Sequence, residues 1–262
     1  FFKTIKNSLL NKINDIKRLD LKLLLLLKSK FVRRKMENIA PIFIDGKWDK
    51  IKTEYFNKVY NPASEEVISM TPICGKKEVE RAVESSLKAF KIWSKFSYVK
   101  RAEILFNYRE LIKTNKEKIA KIISLENGKT LPEARGDIQR GFEVVDFACG
   151  ILHLAKGESL SEIAPNIDSR TNLEPLGVCA GISPFNFPAM VPMWMFPIAI
   201  ACGNSFILKP SEKVPLTAIK LAELFQEAGL PDGVLNIIHG GKEVVDSLCI
   251  HPNISAISFV GS

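Results

Sequence analysis

The sequence lacks two features that would place it in the membrane or disulfide-rich classes. No stretch of its 262 residues reaches the roughly 18 uninterrupted apolar residues that a membrane helix needs, and the longest pure leucine run is Leu23–Leu27. The five cysteines lie far apart and form no C-x-x-C pair. Their odd number argues against a disulfide framework and for a reducing compartment. We therefore expect no membrane partner and no structural disulfides.

Several catalytic and nucleotide-binding motifs are also missing. No G-x-G-x-x-G occurs, so the standard dinucleotide fingerprint is absent, and without G-x-S-x-G a serine hydrolase is disfavoured. Gly128-Lys129-Thr130 copies the tail of a P-loop, but Ile123 stands where that loop needs its first glycine. The histidines have no metal-ligand spacing, so we expect no metal site. They are His153, His239 and His251.

The remaining composition is that of a globular protein. It is 46% hydrophobic and 25% charged, which excludes disordered and collagenous chains. The net charge of +8 is concentrated at one end, because residues 1–35 hold eleven Lys and Arg against two acidic residues. The rest of the chain is nearly neutral and offers no basic face for phosphates. We therefore expect no nucleic-acid partner.

Residues 1–36 form a basic, acid-poor head. Its partly amphipathic pattern suggests a mitochondrial transit peptide, although it is rich in Lys rather than Arg and has only two Ser. A disordered or untranslated tail, or an arm for a membrane or nucleic acid, stays open. The sequence begins at Phe1 rather than Met, Met36 could be an internal start, and Ser262 directly follows an apolar run. We expect an incomplete sequence.

Residues 41–154 predict a short strand and a hairpin, followed by helices. Ile42–Ile44 reads as a strand closed by the turn Asp45-Gly46, and residues 55–73 alternate weakly as a hairpin does. Thr114 and Glu117 match a capping box that would open the third helix. Apolar residues at helical spacing predict four helices, which include Val79–Trp93, Ile104–Ile112, Ile119–Ile123 and residues 130–154.

From residue 176 onward, short apolar runs alternate with helical patterns. This alternation predicts a parallel sheet covered by helices on both faces, with ligands at the carboxyl ends of the strands. Residues 155–176, where Gly, Ser, Pro and Asn collect, form the predicted boundary with the helical part. The predicted strands are Val178–Ile182, Phe206–Leu208, Val234–Ile238 and Ala256–Val260.

Polar residues follow three of these strands at the expected ligand edge. Asn186 offers a neutral amide donor suited to a developing oxyanion. Lys209 and Glu212 offer a donor and an acceptor to sugar hydroxyls, and a carboxylate there would repel a 2′-phosphate and favour NAD over NADP. Gly261-Ser262 would free backbone N–H groups for a pyrophosphate.

Together, in this order, these motifs resemble the aldehyde dehydrogenase superfamily. They are Pro184–Pro188, Lys209–Glu212 and Phe259–Ser262, within a resemblance that extends from about Pro41 and includes Leu125–Lys129. Three further segments look like the CoA-acylating branch, which acts on methylmalonate and malonate semialdehyde in valine and pyrimidine catabolism. These segments are Pro175–Ile182, Met193–Pro197 and Leu235–Gly240.

The resemblance implies an α/β fold. A helical segment would precede a parallel Rossmann-type sheet, and residues 37–262 would form an NAD-binding domain truncated at its C-terminal end, without the catalytic domain. It also implies NAD as cofactor, CoA as co-substrate, a small semialdehyde substrate and a homotetramer. The location would be the mitochondrial matrix, or the cytoplasm if the basic head is not translated.

The resemblance also implies roles for individual residues. Asn186 would stabilise the thiohemiacetal oxyanion, and Arg140 would grip the substrate carboxylate unless it merely forms a surface ion pair. The family usually has Ala at position 183 and Arg at position 213, so NAD affinity could differ modestly. The residues that would contact NAD are Ser183, Phe185, Lys209, Glu212, Lys213, Gly261 and Ser262.

No cysteine of this chain resembles an activated nucleophile. Cys149, Cys179 and Cys202 lie in apolar surroundings, where a thiol pKa rises. In the family the nucleophilic cysteine would lie beyond Ser262, so we expect the chain by itself to be inactive. Two alternatives stay open: a hydrolytic aldehyde dehydrogenase of the same superfamily, and a non-catalytic nucleotide-binding or assembly module.

Overall fold

The computed structural model describes residues 39–51 and 53–261. The basic head predicted at residues 1–36 and the predicted cofactor residue Ser262 lie outside the described residues. The residues from Ala40 onward form one compact unit.

The predicted strand Ile42–Ile44 and the predicted hairpin at residues 55–73 are confirmed, and the structure has two N-terminal hairpins. The first has β1 (Ile42–Ile44) and β2 (Lys47–Asp49), joined by a turn in which Asp45 and Gly46 both have positive φ. The second has β3 (Phe56–Tyr60) and β4 (Val67–Pro72) and forms a two-stranded sheet of its own.

A run of helices follows these hairpins, as the apolar spacing predicts. The fourth predicted helix ends earlier than residue 154, because Gly150 separates α4 from a single further turn. The predicted capping box at Thr114 and Glu117 is wrong. The helices are α1 (Lys76–Trp93), α2 (Tyr98–Thr114), α3 (Lys116–Asn127), α4 (Leu131–Cys149) and α5 (Ile151–Leu154).

The predicted strand–helix alternation forms the C-terminal half. Residues 155–176, which the sequence predicts as a boundary region, contain an exposed antiparallel hairpin of β5 (Ser159–Ala164) and β6 (Ile167–Arg170). The elements that follow are β7 (Val178–Ile182), α6 (Met190–Ala201), β8 (Ser205–Lys209), α7 (Pro215–Glu227), β9 (Leu235–Ile237), α8 (Lys242–Ile250) and β10 (Ile254–Phe259).

The main sheet has six strands in the order β10-β7-β8-β9-β1-β2. The four C-terminal strands pair in parallel, as predicted, whereas β1 joins β9 antiparallel and brings β2 with it. The sheet is therefore mixed, because the first hairpin extends the parallel part at one edge. Sequence periodicity does not predict this pairing.

Apolar side chains cover both faces of the sheet. In β8, Phe206 and Leu208 pack into one core with α2, α4, α6 and α7, while Ile207 faces a second core with α1 and α8. This alternation follows from the two-residue period of a strand. No helix in the described part of the chain combines the length and apolarity that a membrane span needs.

Candidate functional site

The carboxyl ends of β10, β7 and β8 lie side by side. Ile182 pairs with Lys209 in β8 and with Phe259 in β10, so the segments that follow these strands start at one edge of the sheet. The backbone N–H groups of Ser183 and Val260 extend this ladder, donating to Lys209 O over 3.2 Å and Ile182 O over 3.1 Å. The fold therefore brings together the predicted strand-end residues, including Gly261.

Asn186 lies in the loop between β7 and α6. Its side chain is exposed and has no hydrogen-bond partner among the described residues. The loop itself is held from outside, because the Asn127 side-chain amide donates to Phe185 O over 2.8 Å. The Asn186 amide is thus free to donate to an oxygen atom of a bound molecule.

Lys209 and Glu212 form an ion pair in the loop after β8. The Lys209 side chain is buried and its Nζ lies 3.3 Å from Glu212 Oε2. Thr71 Oγ1 donates to Glu212 O over 2.9 Å and so fixes the backbone of this loop. The pair keeps a buried ammonium neutralised while both groups can still hydrogen-bond to vicinal hydroxyls.

Phe185 and Lys213 connect the two loops. Lys213 Nζ lies 4.8 Å from the centre of the half-exposed Phe185 ring, which is a cation–π distance. The lysine therefore retains an aromatic contact, although it cannot stack as a planar guanidinium would.

Ser183 stands directly after β7 and is buried. Its Oγ has no hydrogen-bond partner in the described part of the chain. A buried hydroxyl without a partner is costly, so this oxygen fits a place where a bound molecule supplies the missing hydrogen bond.

Arg140 is not joined to these residues. It lies exposed on α4, and no described residue forms an ion pair or hydrogen bond with it. The surface ion pair considered for it is therefore not found among the described residues. A free guanidinium can bind a carboxylate through two parallel hydrogen bonds.

A cavity of about 620 Å³ adjoins the loops after β7 and β8. The second hairpin forms one wall of it, which the sequence did not indicate, because the hairpin is distant along the chain. The cavity is lined by Phe56, Asn57, Lys58, Tyr60, Pro62, Glu126, Asn127, Phe185, Glu212, Lys213 and Val214.

Glu126 lines this cavity but is not among the site residues predicted from the sequence. Its buried carboxylate accepts from the backbone N–H groups of Leu216 (2.7 Å) and Thr217 (2.8 Å), and from the Thr217 hydroxyl, at the start of α7. Burial raises the pKa of the Glu126 carboxyl to about 7, and the Thr217 and Leu216 donors oppose that rise. The only sequence signal was its position within Leu125–Lys129.

Cys149, Cys179 and Cys202 lie in apolar surroundings, as their structural interpretation expects, and Cys74 is buried as well. Burial raises the pKa of Cys74 to about 12 and the pKa values of Cys149 and Cys179 to about 11, and it also raises the pKa of Cys202. Such thiols are poor nucleophiles at neutral pH. Among the described residues, no group of three His, Cys, Asp or Glu side chains could hold a metal ion.

Comparison with known proteins assigns the chain to a family. The aldehyde dehydrogenase family model matches residues 48–262. The chain belongs to the aldehyde dehydrogenase family. The fold predicted from the strand-end motifs is confirmed, with the two antiparallel strands at one sheet edge as the additional feature.

Two curated relatives of this chain are named as semialdehyde dehydrogenases. A Dictyostelium discoideum protein named "Probable methylmalonate-semialdehyde/malonate-semialdehyde dehydrogenase (acylating), mitochondrial" is 50% identical over 227 residues, covering 87% of this chain and 43% of the relative. The malonate-semialdehyde dehydrogenase of Lacticaseibacillus casei is 53% identical over 220 residues, covering 84% and 45%. The chain thus spans less than half the length of these relatives.

Solved aldehyde dehydrogenase structures share the fold. The methylmalonate-semialdehyde dehydrogenase of Oceanimonas doudoroffii superposes with a TM-score of 0.84 at 43% identity, over 86% of this chain and 46% of that one. A Sinorhizobium meliloti protein named for the same activity, crystallised with NAD, gives 0.83 at 45% identity over the same shares.

Proposed function

We propose that this chain forms the NAD-binding part of a CoA-acylating semialdehyde dehydrogenase. The whole protein would oxidise methylmalonate or malonate semialdehyde to propionyl-CoA or acetyl-CoA with loss of CO2. The observation that carries the proposal is that the free Asn186 amide and the Lys209–Glu212 pair follow neighbouring strands at one edge of the sheet. Identity near 50% to relatives named for this activity supports the substrate class.

The strand-end residues fit NAD. Lys209 and Glu212 would hold the adenosine ribose hydroxyls, and the Glu212 carboxylate would repel the 2′-phosphate of NADP. The unpartnered Ser183 hydroxyl, directly after β7, would supply a further hydrogen bond. Phe185, Lys213, Gly261 and Ser262 would complete the cofactor contacts. Bound NAD would accept the hydride from the substrate.

Asn186 and Arg140 would act on the substrate. When a thiolate adds to the aldehyde, the carbonyl oxygen becomes an oxyanion, and the Asn186 amide would donate to it. Arg140 would bind the substrate carboxylate. The raised thiol pKa values make four of this chain's cysteines unsuitable as the nucleophile, so we infer that the thiolate comes from another residue. CoA would then take the acyl group from the enzyme thioester.

Arg140→Ala in the complete reading frame that contains this chain tests the substrate role. We expect the KM for methylmalonate semialdehyde to rise about 10–100-fold, since a charged bidentate contact is lost, while the KM for propanal changes less than about twofold. Arg135→Ala is the matched control, because Arg135 lies on the same helix and pairs with Glu117. Equal effects of Arg140→Ala on both aldehydes would refute the carboxylate contact.

The dependence of turnover on CoA separates the proposed reaction from its alternatives. Steady NADH formation that requires CoA and yields an acyl-CoA supports the acylating reaction. CoA-independent release of free acid would indicate a hydrolytic aldehyde dehydrogenase. If no NADH forms in an aldehyde-dependent manner, the remaining interpretation is a non-catalytic nucleotide-binding or assembly module.

We also propose a mitochondrial homotetramer. The acid-poor head and the mitochondrial name of the Dictyostelium relative support the location. Fluorescent tagging of the complete protein, with and without residues 1–36, tests the location, and sedimentation tests the tetramer. Cytoplasmic fluorescence of the tagged protein that carries the head would contradict the first expectation.

A further inference from the structure

The Asn186 loop is held by contacts from one turn of the helical segment. On the side preceding Asn186, the Asn127 amide donates to Phe185 O over 2.8 Å. On the following side, Lys129 Nζ lies 4.0 Å from the centre of the Phe187 ring. Asn186 is thus flanked by two anchored neighbours, although its own side chain contacts no described partner.

Lys129 is also half of a buried ion pair. Its Nζ lies 2.6 Å from Asp137 Oδ2, and the Asp137 side chain is fully buried. The other carboxylate oxygen, Oδ1, accepts from Met190 N over 2.7 Å at the first residue of α6. A buried carboxylate that uses both oxygens has little freedom, because each lost contact would leave a buried charge unpaired. Asp137 therefore fixes the point where the Asn186 loop enters α6.

A left-handed turn makes this arrangement possible. Gly128 directly follows α3 and caps it, and its φ of 81° lies in the region that favours glycine. The reversal at Gly128 places Asn127 and Lys129 against the two sides of the same loop. The contacts therefore come from a compact unit and not from unrelated parts of the chain.

We propose that Asn127 and the Lys129–Asp137 pair are positioning residues that hold the Asn186 amide at the oxyanion. The proposal rests on the proposed dehydrogenase function, because it concerns the same oxyanion. An exposed amide without partners is placed only by its backbone, so loosening either anchor displaces it. A displacement of about 1 Å at a reacting group can lower a rate about 100-fold.

The first experiment uses the present chain and needs no activity. Hydrogen exchange at the Met190 amide reports opening of the loop where it enters α6. We expect Asn127→Ala to accelerate this exchange about fivefold, the equivalent of one lost hydrogen bond. Asn115→Ala is the matched control, because Asn115 makes a similar 2.9 Å side-chain bond to Leu111 O at the opposite end of α3. Equal exchange in both variants would overturn the proposal.

The second experiment uses the complete enzyme and a double-mutant cycle. We expect Asn127→Ala to lower kcat about tenfold with an unchanged KM for NAD, and to have no further effect in an Asn186→Ala background. Additive losses would show that Asn127 does not act through Asn186. Asp137→Asn should behave in the same way. Asp146→Asn is its control, because Asp146 lies on the same helix as Asp137 but forms an exposed ion pair with Arg109 of α2.

The two experiments separate the positioning role from the function. An exchange effect at Met190 without any aldehyde-dependent NADH would refute the proposed function and leave the loop anchoring intact. Full activity of Asn127→Ala in an active enzyme would refute the positioning role alone.

Discussion

At the residue scale, two buried titratable side chains link folding to pH with opposite signs. Burial raises the pKa of Glu126 to about 7, so its contribution to stability is present near pH 4.5 and is lost as the pH rises toward 7. Burial lowers the pKa of His239 to about 4, where its Nε2 lies 2.9 Å from Pro41 O. The stability that the protein gains from keeping His239 neutral is therefore lost as the pH falls from about 6.5 to about 4.

Glu126→Gln isolates the first of these effects. Gln cannot accept at its NH2 group, so one donor at the start of α7 loses its partner, and the free energy of unfolding should fall by about 1–3 kcal/mol at pH 5. The difference between wild type and variant should narrow as the pH rises to 8, because only wild type loses its proton. Urea unfolding of both proteins at several pH values measures this, and His239 cancels in the comparison. A difference that stays constant would mean that Glu126 remains ionised throughout.

The strand-end residues were predictable from sequence, whereas their anchors were not. Lys209 directly follows an apolar run, Glu212 and Asn186 come within four residues of one, and parallel strands end at one edge, so the local pattern predicts their placement. Their roles rest on the family resemblance and stay predictions. Asp137 is one of four acidic residues on α4, and its partner Met190 N lies 53 positions away. Residue spacing carries no information about such a contact.

At the element scale, two similar capping patterns have different outcomes. Thr114 belongs to the last turn of α2, where its hydroxyl donates to Glu110 O and Leu111 O. The sequence Thr130 to Glu133 forms the actual capping box, which opens α4. Both segments match the S/T-x-x-E pattern, so the pattern alone could not distinguish the end of one helix from the start of another.

Helices α4 and α6 approach closely at Gly141. A Cβ there would lie 3.2 Å from Met190 Cα and within 3.0 Å of Met193 side-chain atoms. We expect Gly141→Ala to lower the free energy of unfolding by about 1–3 kcal/mol, since overpacking outweighs the gain in helix propensity. Gly136→Ala on the same helix meets no atom within 4 Å and should raise stability by up to about 1 kcal/mol. Stabilisation by both substitutions in denaturant titrations would contradict the close packing.

At the scale of the whole molecule, the sheet is covered unevenly. Its centre lies between two apolar cores, but the outer edge of β10 pairs with no strand in the described residues. Ile257, Phe259 and Val260 are 38%, 59% and 41% exposed there. An exposed apolar edge strand is a template for pairing with another chain.

The present chain should therefore self-associate through β10, and one lysine at that edge should reduce the association. We expect Ile257→Lys to raise the highest concentration at which the chain is still monomeric by about threefold, since a charge on an edge strand blocks pairing. Ile250→Lys adds the same charge at a residue that is 78% exposed on α8, and should have a smaller effect. Sedimentation velocity at 0.15 M salt compares the two, with circular dichroism confirming that both variants fold. An equal rise of this concentration in both variants would indicate that net charge alone controls association. A wild-type chain that is monomeric at all concentrations would show that the edge of β10 does not pair.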